Sequence, residues 1–286
     1  MQSLDLIKKR IITISNTKKI TNAAKLIAMT KMKSQKEKLA SCSTFCQVFY
    51  DSFKQLIIGC KDLAPLTEIN NKLNSNLYIV IGSDMGLCGP YNNNVCKYLL
   101  QHVAPNDKII VFGSKCYKFL KMNECFKQII NYYPNNFKDN FYYALLPLCY
   151  KLNDAYFANK YKTIKIIYTS LITSIKYQIK DWQILPLNLS QWHIQKQDII
   201  RNMTIYDTKP EEILKKILPI YILNVVYGAL IEANVCESFS RHFAMDQATK
   251  SANEMINDLK IQYNKTRQEL ITQQINEIIS STIEGK

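Results

Sequence analysis

The stretch Met245–Ile278, MDQATKSANEMINDLKIQYNKTRQELITQQINEI, decides the fold. Met245, Ala248, Ala252, Met255, Leu259, Thr266 and Leu270 recur at heptad spacing with a polar gap at Gln262, and Ile271, Ile275 and Ile278 continue on a neighbouring stripe. This repeat predicts a coiled-coil seam, thin and only partly apolar. Residues 229 to 284 contain neither glycine nor proline, and nor do residues 1 to 58. All eight prolines and six of the seven glycines fall between 59 and 228. Because Gly and Pro cost a helix interior about 1 and 3 kcal/mol, two long helical arms are expected to flank a breaker-rich middle. The first arm carries Leu4, Ile7, Ile11 and Ile14 at spacings of three, four and three. Its Lys31–Lys38 segment, KMKSQKEK, is polar almost all round and suits water or a polar partner.

The middle reads as α/β. Leu77–Ile81 (LYIVI) and Ile109–Phe112 (IIVF) are short apolar runs ending at Gly82 and Gly113, as buried parallel strands do. Helices are expected over Asn94–Val103 and Lys115–Met122. A third strand is expected at Ile164–Tyr168, and a strand wet on one face where Ile175, Tyr177 and Ile179 alternate with polar residues. Asp139–Asn159 reads as a helix with a kink or break near Pro147, and Lys61–Asn76 and Pro186–Pro210 as connections with little regular structure. The βαβ order predicts a small open sheet covered by helices.

Of the 286 residues, 47% are hydrophobic and 21% charged, which is globular rather than disordered usage. Apolar runs look shorter than the ~20 residues of a membrane span. The nine cysteines lack a CxxC or a metal-like spacing with His102, His193 or His242, and read as free thiols in a reducing compartment. The net charge of +14 points to an anionic partner, and residues 1 to 58 alone carry +8. Lys8, Lys9, Arg10, Lys18, Lys19, Lys25, Lys31, Lys33, Lys36 and Lys38 form a basic stripe on the first arm.

Local chemistry is sparse. The loop Gly82-Ser-Asp-Met-Gly-Leu-Cys-Gly89 follows a strand, but its spacing matches neither a dinucleotide fingerprint nor a P-loop, so it reads as structural turn residues. Cys42 and Cys46 stand four apart on a helix with no third metal ligand nearby, and read as small hydrophobes. Glu232, Glu237, Asp246, Glu254 and Asp258 read as a solvated helix face. The basic arm lacks the interleaved aromatics of a single-strand binder.

Three segments carry a resemblance. Arg10-Ile-Ile-Thr-Ile-Ser-Asn-Thr-Lys-Lys-Ile-Thr21 with Lys25-Leu-Ile-Ala28, the segment from Gly82 to Asn92, and Ala244-Met-Asp-Gln-Ala-Thr-Lys250 with Tyr263-Asn-Lys-Thr-Arg-Gln268 resemble, in order, the gamma subunits of F-type ATP synthases. The resemblance covers essentially the whole chain. It implies a long antiparallel two-helix coiled coil made by the N- and C-termini, plus a small central open-sheet α/β domain, Rossmann-like. The expected boundaries are 1–60 for the N-terminal helix, 61–208 for the central domain and 209–286 for the C-terminal helix.

It also implies a central-stalk rotor with no catalytic residue, cofactor or metal of its own, turned by proton flow and driving the catalytic sites through successive conformations. Implied partners are the alpha and beta subunits of the catalytic head, the delta and epsilon stalk subunits and the membrane c-ring, with no nucleic acid and no membrane span of its own. By residue match, Arg241, Gln268 and Thr272 would meet loops of the catalytic subunits. Lys18, Lys19, Lys25, Lys31 and Lys33 would face acidic stator segments, and Tyr206 and Asp207 would lie in the foot near the ring. Gln274, Ser281, Thr282, Ala24 and Pro90 depart from the family pattern. Met1–Lys19 is basic, amphipathic and poor in acids, like an import signal, so the expected compartment is the matrix side of the mitochondrial inner membrane. The alternative is the cytoplasmic side of a bacterial membrane. The competing functional reading is a basic coiled-coil nucleic-acid-binding or scaffold protein.

Overall fold

A computed structural model describes residues 4–60, 63–123, 125–135, 141–173, 176–188 and 208–284. Helix α1 spans Leu4–Gly59 and α6 spans Pro210–Glu284. Between them run α2 (Ala64–Thr67), β1 (Leu77–Ile81), α3 (Tyr91–His102), β2 (Lys108–Phe112), α4 (Ser114–Met122), β3 (Ile129–Tyr133), α5 (Phe141–Phe157), β4 (Ile164–Leu171) and β5 (Tyr177–Leu185). The chain divides into two compact units, one of Met1–Thr30 with Arg241–Lys286 and the other Lys31–Ser240. These units cut both long helices midway instead of falling at residues 60 and 208. The reason is packing: the end of α1, through Phe53 and Ile57, and the start of α6 are buried in the same core as the sheet.

In the first unit the two helices run antiparallel. The Thr21 and Thr249 hydroxyls lie 2.9 Å apart, and Lys25 Nζ is 2.8 Å from Asp246 Oδ1. Within this unit the covered positions of α1 include Leu4, Ile7, Ile11, Ile14, Lys18, Thr21, Lys25 and Ala28, an alternation of threes and fours, with Ser15 and Ala24 beside them. On α6 the covered positions are Met245, Thr249, Ala252, Ile256, Leu259, Tyr263, Thr266 and Leu270. The seam therefore contains Ile256 and Tyr263 where the sequence suggests Met255 and Gln262, and it buries Thr249 beside the half-buried Ala248. Met255 is 55% exposed. The pairing register places Leu4, the first described residue of α1, near Thr266. Residues 271–280 are all exposed, Ile271, Ile275 and Ile278 among them.

The second unit holds one five-stranded sheet in the order β3-β2-β1-β4-β5. β1 pairs in parallel with β2 and β4, β3 in parallel with β2, and β5 is antiparallel to β4. Alternation along β1 sets the layers. Leu77, Ile79 and Ile81 face a core shared with α5, α1 and α6, while Tyr78 and Val80 face α3 and α4 through Val95, Cys96, Leu99, Cys116 and Leu120. Phe53 of α1 stacks on Tyr221 of α6 at 4.8 Å between ring centroids.

The structure adds to the expected elements and corrects one reading. β3 was not foreseen, since IINYY at a sheet edge is largely exposed and carries no strong apolar signal. α5 forms within the expected span and holds Pro147 in its interior. The connection after α1 contains the short α2. And α6 does hold a window long and apolar enough to cross a membrane, with mean hydropathy 1.5, of which 61% is buried. Leu218, Ile222, Val226, Leu230 and Ala233 place its apolar surface against the sheet, as a core helix requires.

Candidate functional site

The basic residues do not form one stripe. Lys18 and Lys25 lie along the seam of α1, whereas Lys19, Lys31 and Lys33 are exposed. Lys25 reaches across to Asp246, which also accepts from Lys250 one turn on at 2.9 Å. The hydrogen bond from Lys25, then that from Lys250, hold the Asp246 carboxyl down at about 2. Lys25 is thus engaged within the coiled coil, unlike the exposed Lys19, Lys31 and Lys33.

Arg241, Gln268 and Thr272 do not converge. Arg241 is 9% exposed. Gln268 lies 27 residues further along α6, about 40 Å at the α-helical rise. Gln268 and Thr272 are exposed neighbours on α6, and the Thr272 hydroxyl donates to the Gln268 carbonyl at 2.9 Å. With Lys265, Glu269, Gln273 and Asn276 they line a shallow polar recess along the helix. Tyr206 and Asp207 lie outside the described residues.

The loop after β1 is a structural joint. Leu87 and Gly89 adopt left-handed backbone, φ 63° and 57°. Asn92 ties the loop shut: its Oδ1 accepts from the Ser83 N–H at 2.9 Å and its Nδ2 donates to Ser83 Oγ at 2.7 Å. The loop is fastened to α6 at several points. The Ser240 hydroxyl donates to the Cys88 carbonyl at 2.7 Å, and the Tyr91 hydroxyl to the Ala233 carbonyl at 3.0 Å. Asn135 donates to the Gly82 carbonyl at 2.8 Å and contacts Asn234 Oδ1 at 3.2 Å. Beside it, Glu232 Oε1 accepts from the Ser170 hydroxyl and the Leu171 N–H at 2.7 and 2.9 Å.

In an open parallel sheet a ligand binds at the carboxyl ends of the strands, where the connections change direction. Here that end of β1 is packed by Cys88, Tyr91 and Cys236, all at most 2% exposed, with Leu171 and Tyr177 beside them. The crevice is filled by α6, which supports the structural reading of the glycine loop. Sequence reasoning missed Asn92, Asn135, Asn234 and Ser240, and it placed Glu232 and Glu237 on a solvated helix face, whereas Glu232 binds the end of β4 and Glu237 is buried. The one available signal was Asn92, which closes the glycine-rich run. Among the described residues no group of three His, Cys, Asp or Glu side chains is placed to hold a metal ion.

Comparison with known proteins identifies the architecture. A family model described as ATP synthase matches residues 3–282. The chain is 35% identical over 284 residues to the ATP synthase gamma chain of Ureaplasma urealyticum serovar 10, covering 98% of this chain and 99% of that one. It is 35% identical over 289 residues to the ATP synthase gamma chain of Mycoplasmopsis pulmonis, covering 99% and 100%. A chain in the Euglena gracilis mitochondrial ATP synthase structure of OSCP, F1 and c-ring superposes with TM-score 0.69 at 17% identity, covering 98% of this chain and 93% of that one, a likeness of fold. Both sequence relatives are bacterial, so the mitochondrial expectation lacks support. The amphipathic pattern behind it has another cause, since Leu4, Ile7, Ile11 and Ile14 lie along the seam of α1. On the match across residues 3–282 and these full-length relatives, the chain belongs to the ATP synthase gamma-chain family.

Proposed function

We propose that this chain is the central-stalk rotor of a bacterial ATP synthase, a non-catalytic shaft at the cytoplasmic face of the membrane. One observation carries the mechanics: α6 is a single helix of 75 residues, and its sheet-packed half is tied to the loop after β1, to the start of α3 and to β4 by side-chain hydrogen bonds. A twist applied to the sheet is therefore passed to a helix, not to a flexible linker. Further along, α6 pairs with α1, and its exposed residues there include Gln268 and Thr272. On this reading this part of α6 and the exposed Lys19, Lys31 and Lys33 meet the alpha and beta subunits. The α/β unit meets the epsilon subunit and the c-ring, and delta belongs to the same assembly. Exposed ion pairs are worth about 0–1 kcal/mol, which suits contacts that a rotor must break at every step. Purification of the tagged chain from its native membrane tests the reading. Alpha, beta and ring subunits should co-purify with ATPase activity. Recovery with nucleic acid and without those subunits would overturn it in favour of the basic binder.

A further inference from the structure

The parallel strands β1 to β4 all begin at one end of the sheet, the end opposite the joint with α6. The connections there gather lysines. Lys72 lies before β1, Lys108 opens β2, Lys127 stands just before β3, and Lys160 and Lys162 precede β4. Lys121 is in the last turn of α4, which runs back to the same end. Against these six the same connections carry Glu68, Asp107 and Glu124. Asp107 is buried and its carboxylate accepts from the Asn76 and Ala104 N–H groups at 2.7 Å each. Hydrogen bonds knit the connections together. The Lys108 N–H donates to the Asn76 carbonyl at 2.9 Å and the Lys162 N–H to the Ser75 carbonyl at 2.7 Å. Asn70 Nδ2 donates to Asn159 Oδ1 at 3.3 Å, and Gln128 Nε2 to the Ala104 carbonyl at 2.8 Å. Apolar side chains stand among the lysines. Met122 is 86% exposed, more than any other large apolar side chain among the described residues, and Ile69 and Phe126 are exposed as well. Lys121 Nζ lies 5.4 Å from the centre of the Phe126 ring. Lys72 and Lys162 line a recess of about 570 Å³ with Asn70, Asn159 and Tyr161.

We propose that this end of the sheet is a membrane-surface face that holds anionic phospholipid headgroups. An acidic protein surface would match the lysines but not the exposed Met122 and Phe126. The boundary between headgroups and acyl chains matches both, because charges there meet phosphates while apolar side chains leave water. The exposed Lys72, Lys121, Lys127 and Lys160 take the phosphates, and the recess between Lys72 and Lys162 seats one headgroup. Met122 and Phe126 dip below the headgroup level. The face belongs to the α/β unit that the rotor reading sets beside the membrane, so the proposal rests on that reading for its setting. The two are tested apart: co-purification tests the rotor, and vesicles test the face without any other subunit.

The purified full chain is sedimented with phosphatidylcholine vesicles, with and without about one third phosphatidylglycerol. Binding should be roughly tenfold or more tighter with the anionic lipid and should weaken as salt is added. A lysine near such a surface is worth about fivefold, so K72Q/K127Q/K160Q should weaken binding by roughly tenfold or more. K19Q/K31Q/K33Q removes the same charge from exposed positions of α1 and should weaken it by less than about twofold. M122S leaves the charge untouched and should weaken binding by about threefold, the mark of an apolar side chain leaving water. Equal binding to neutral and anionic vesicles, equal loss in the two triple variants, or full binding by M122S would each overturn the proposal. So would binding of the chain to detergent-solubilised c-ring without any to vesicles, if K72Q/K127Q/K160Q abolished it, since the face would then belong to a protein partner.

Discussion

Lys25 Nζ and Asp246 Oδ1 lie 2.8 Å apart across the coiled coil, 221 residues distant in sequence, and Lys25 stands at a seam position. A charge there stabilises one register and disfavours neighbouring ones, since a shift of the helices would leave both groups without this contact.

That pair makes the coiled coil acid-sensitive. The Asp246 carboxyl is held at about 2, below its ordinary 3.8. Its contribution is therefore complete above the unfolded value and is lost as pH falls from about 4 through about 2. The melting midpoint of the full chain should exceed that of D246N at neutral pH, and the two should converge at the acid end of this window. Added salt should narrow the neutral-pH gap, because the pair is partly exposed. Coincident curves at all pH values would remove the pair from the stability of the shaft.

Two glycines predict opposite outcomes. Gly113 has φ 98°, and a Cβ there would lie 2.5 Å from the Gly82 carbonyl oxygen. Both the backbone conformation and the clash oppose a side chain, so G113A should cost more than about 3 kcal/mol in urea unfolding. Gly228 sits inside α6 with open space where its Cβ would go. G228A should instead stabilise the chain by about 0.5–1 kcal/mol. A neutral G113A would mean that the turn after β2 relaxes freely.

Glu232 joins α6 to the end of β4 by accepting from both Ser170 and Leu171. Hydrogen bonds to a charged acceptor are worth about 1.5–3 kcal/mol, so E232A should lower stability by that amount. Hydrogen exchange should rise at the Leu171 amide before the rest of the sheet. In the assembled complex the loosened joint should lower ATP synthesis more than ATP hydrolysis. Unchanged protection of Leu171 would show that the bond is dispensable.

These relationships differ in how far the sequence announces them. The breaker-free arms predict two long helices directly, and Leu259, Thr266 and Leu270 fall on the covered side as read. Thr249 and Tyr263 were missed because Ala248 is the better apolar candidate, and a run of threes and fours fits two phases about 100° apart. What selects the true phase is a tertiary contact, the Thr21–Thr249 hydrogen bond, which no single-helix pattern contains. The same holds for the joint. Asn135, Glu232 and Asn234 are ordinary polar residues along the chain and gain a role only when α6 is laid over the ends of β1 and β4. Lys25 reads as part of a basic stripe until Asp246 is placed beside it.

Burial separates the three α6 residues expected to meet the catalytic subunits. Arg241 is 9% exposed, so its aliphatic stem is packed in the shaft itself. R241A should destabilise the free chain by about 1–3 kcal/mol, as loss of a buried side chain does. Gln268 and Thr272 lie on exposed helix, where substitutions fall within about 0.5 kcal/mol. Q268A and T272A should leave the free chain's unfolding midpoint unchanged and lower coupled ATP synthesis by at most about fivefold, given about 0–1 kcal/mol per exposed contact. Reversal of the two patterns, a stable R241A beside a destabilised T272A, would place Arg241 at the partner interface and return Thr272 to the structure of the helix.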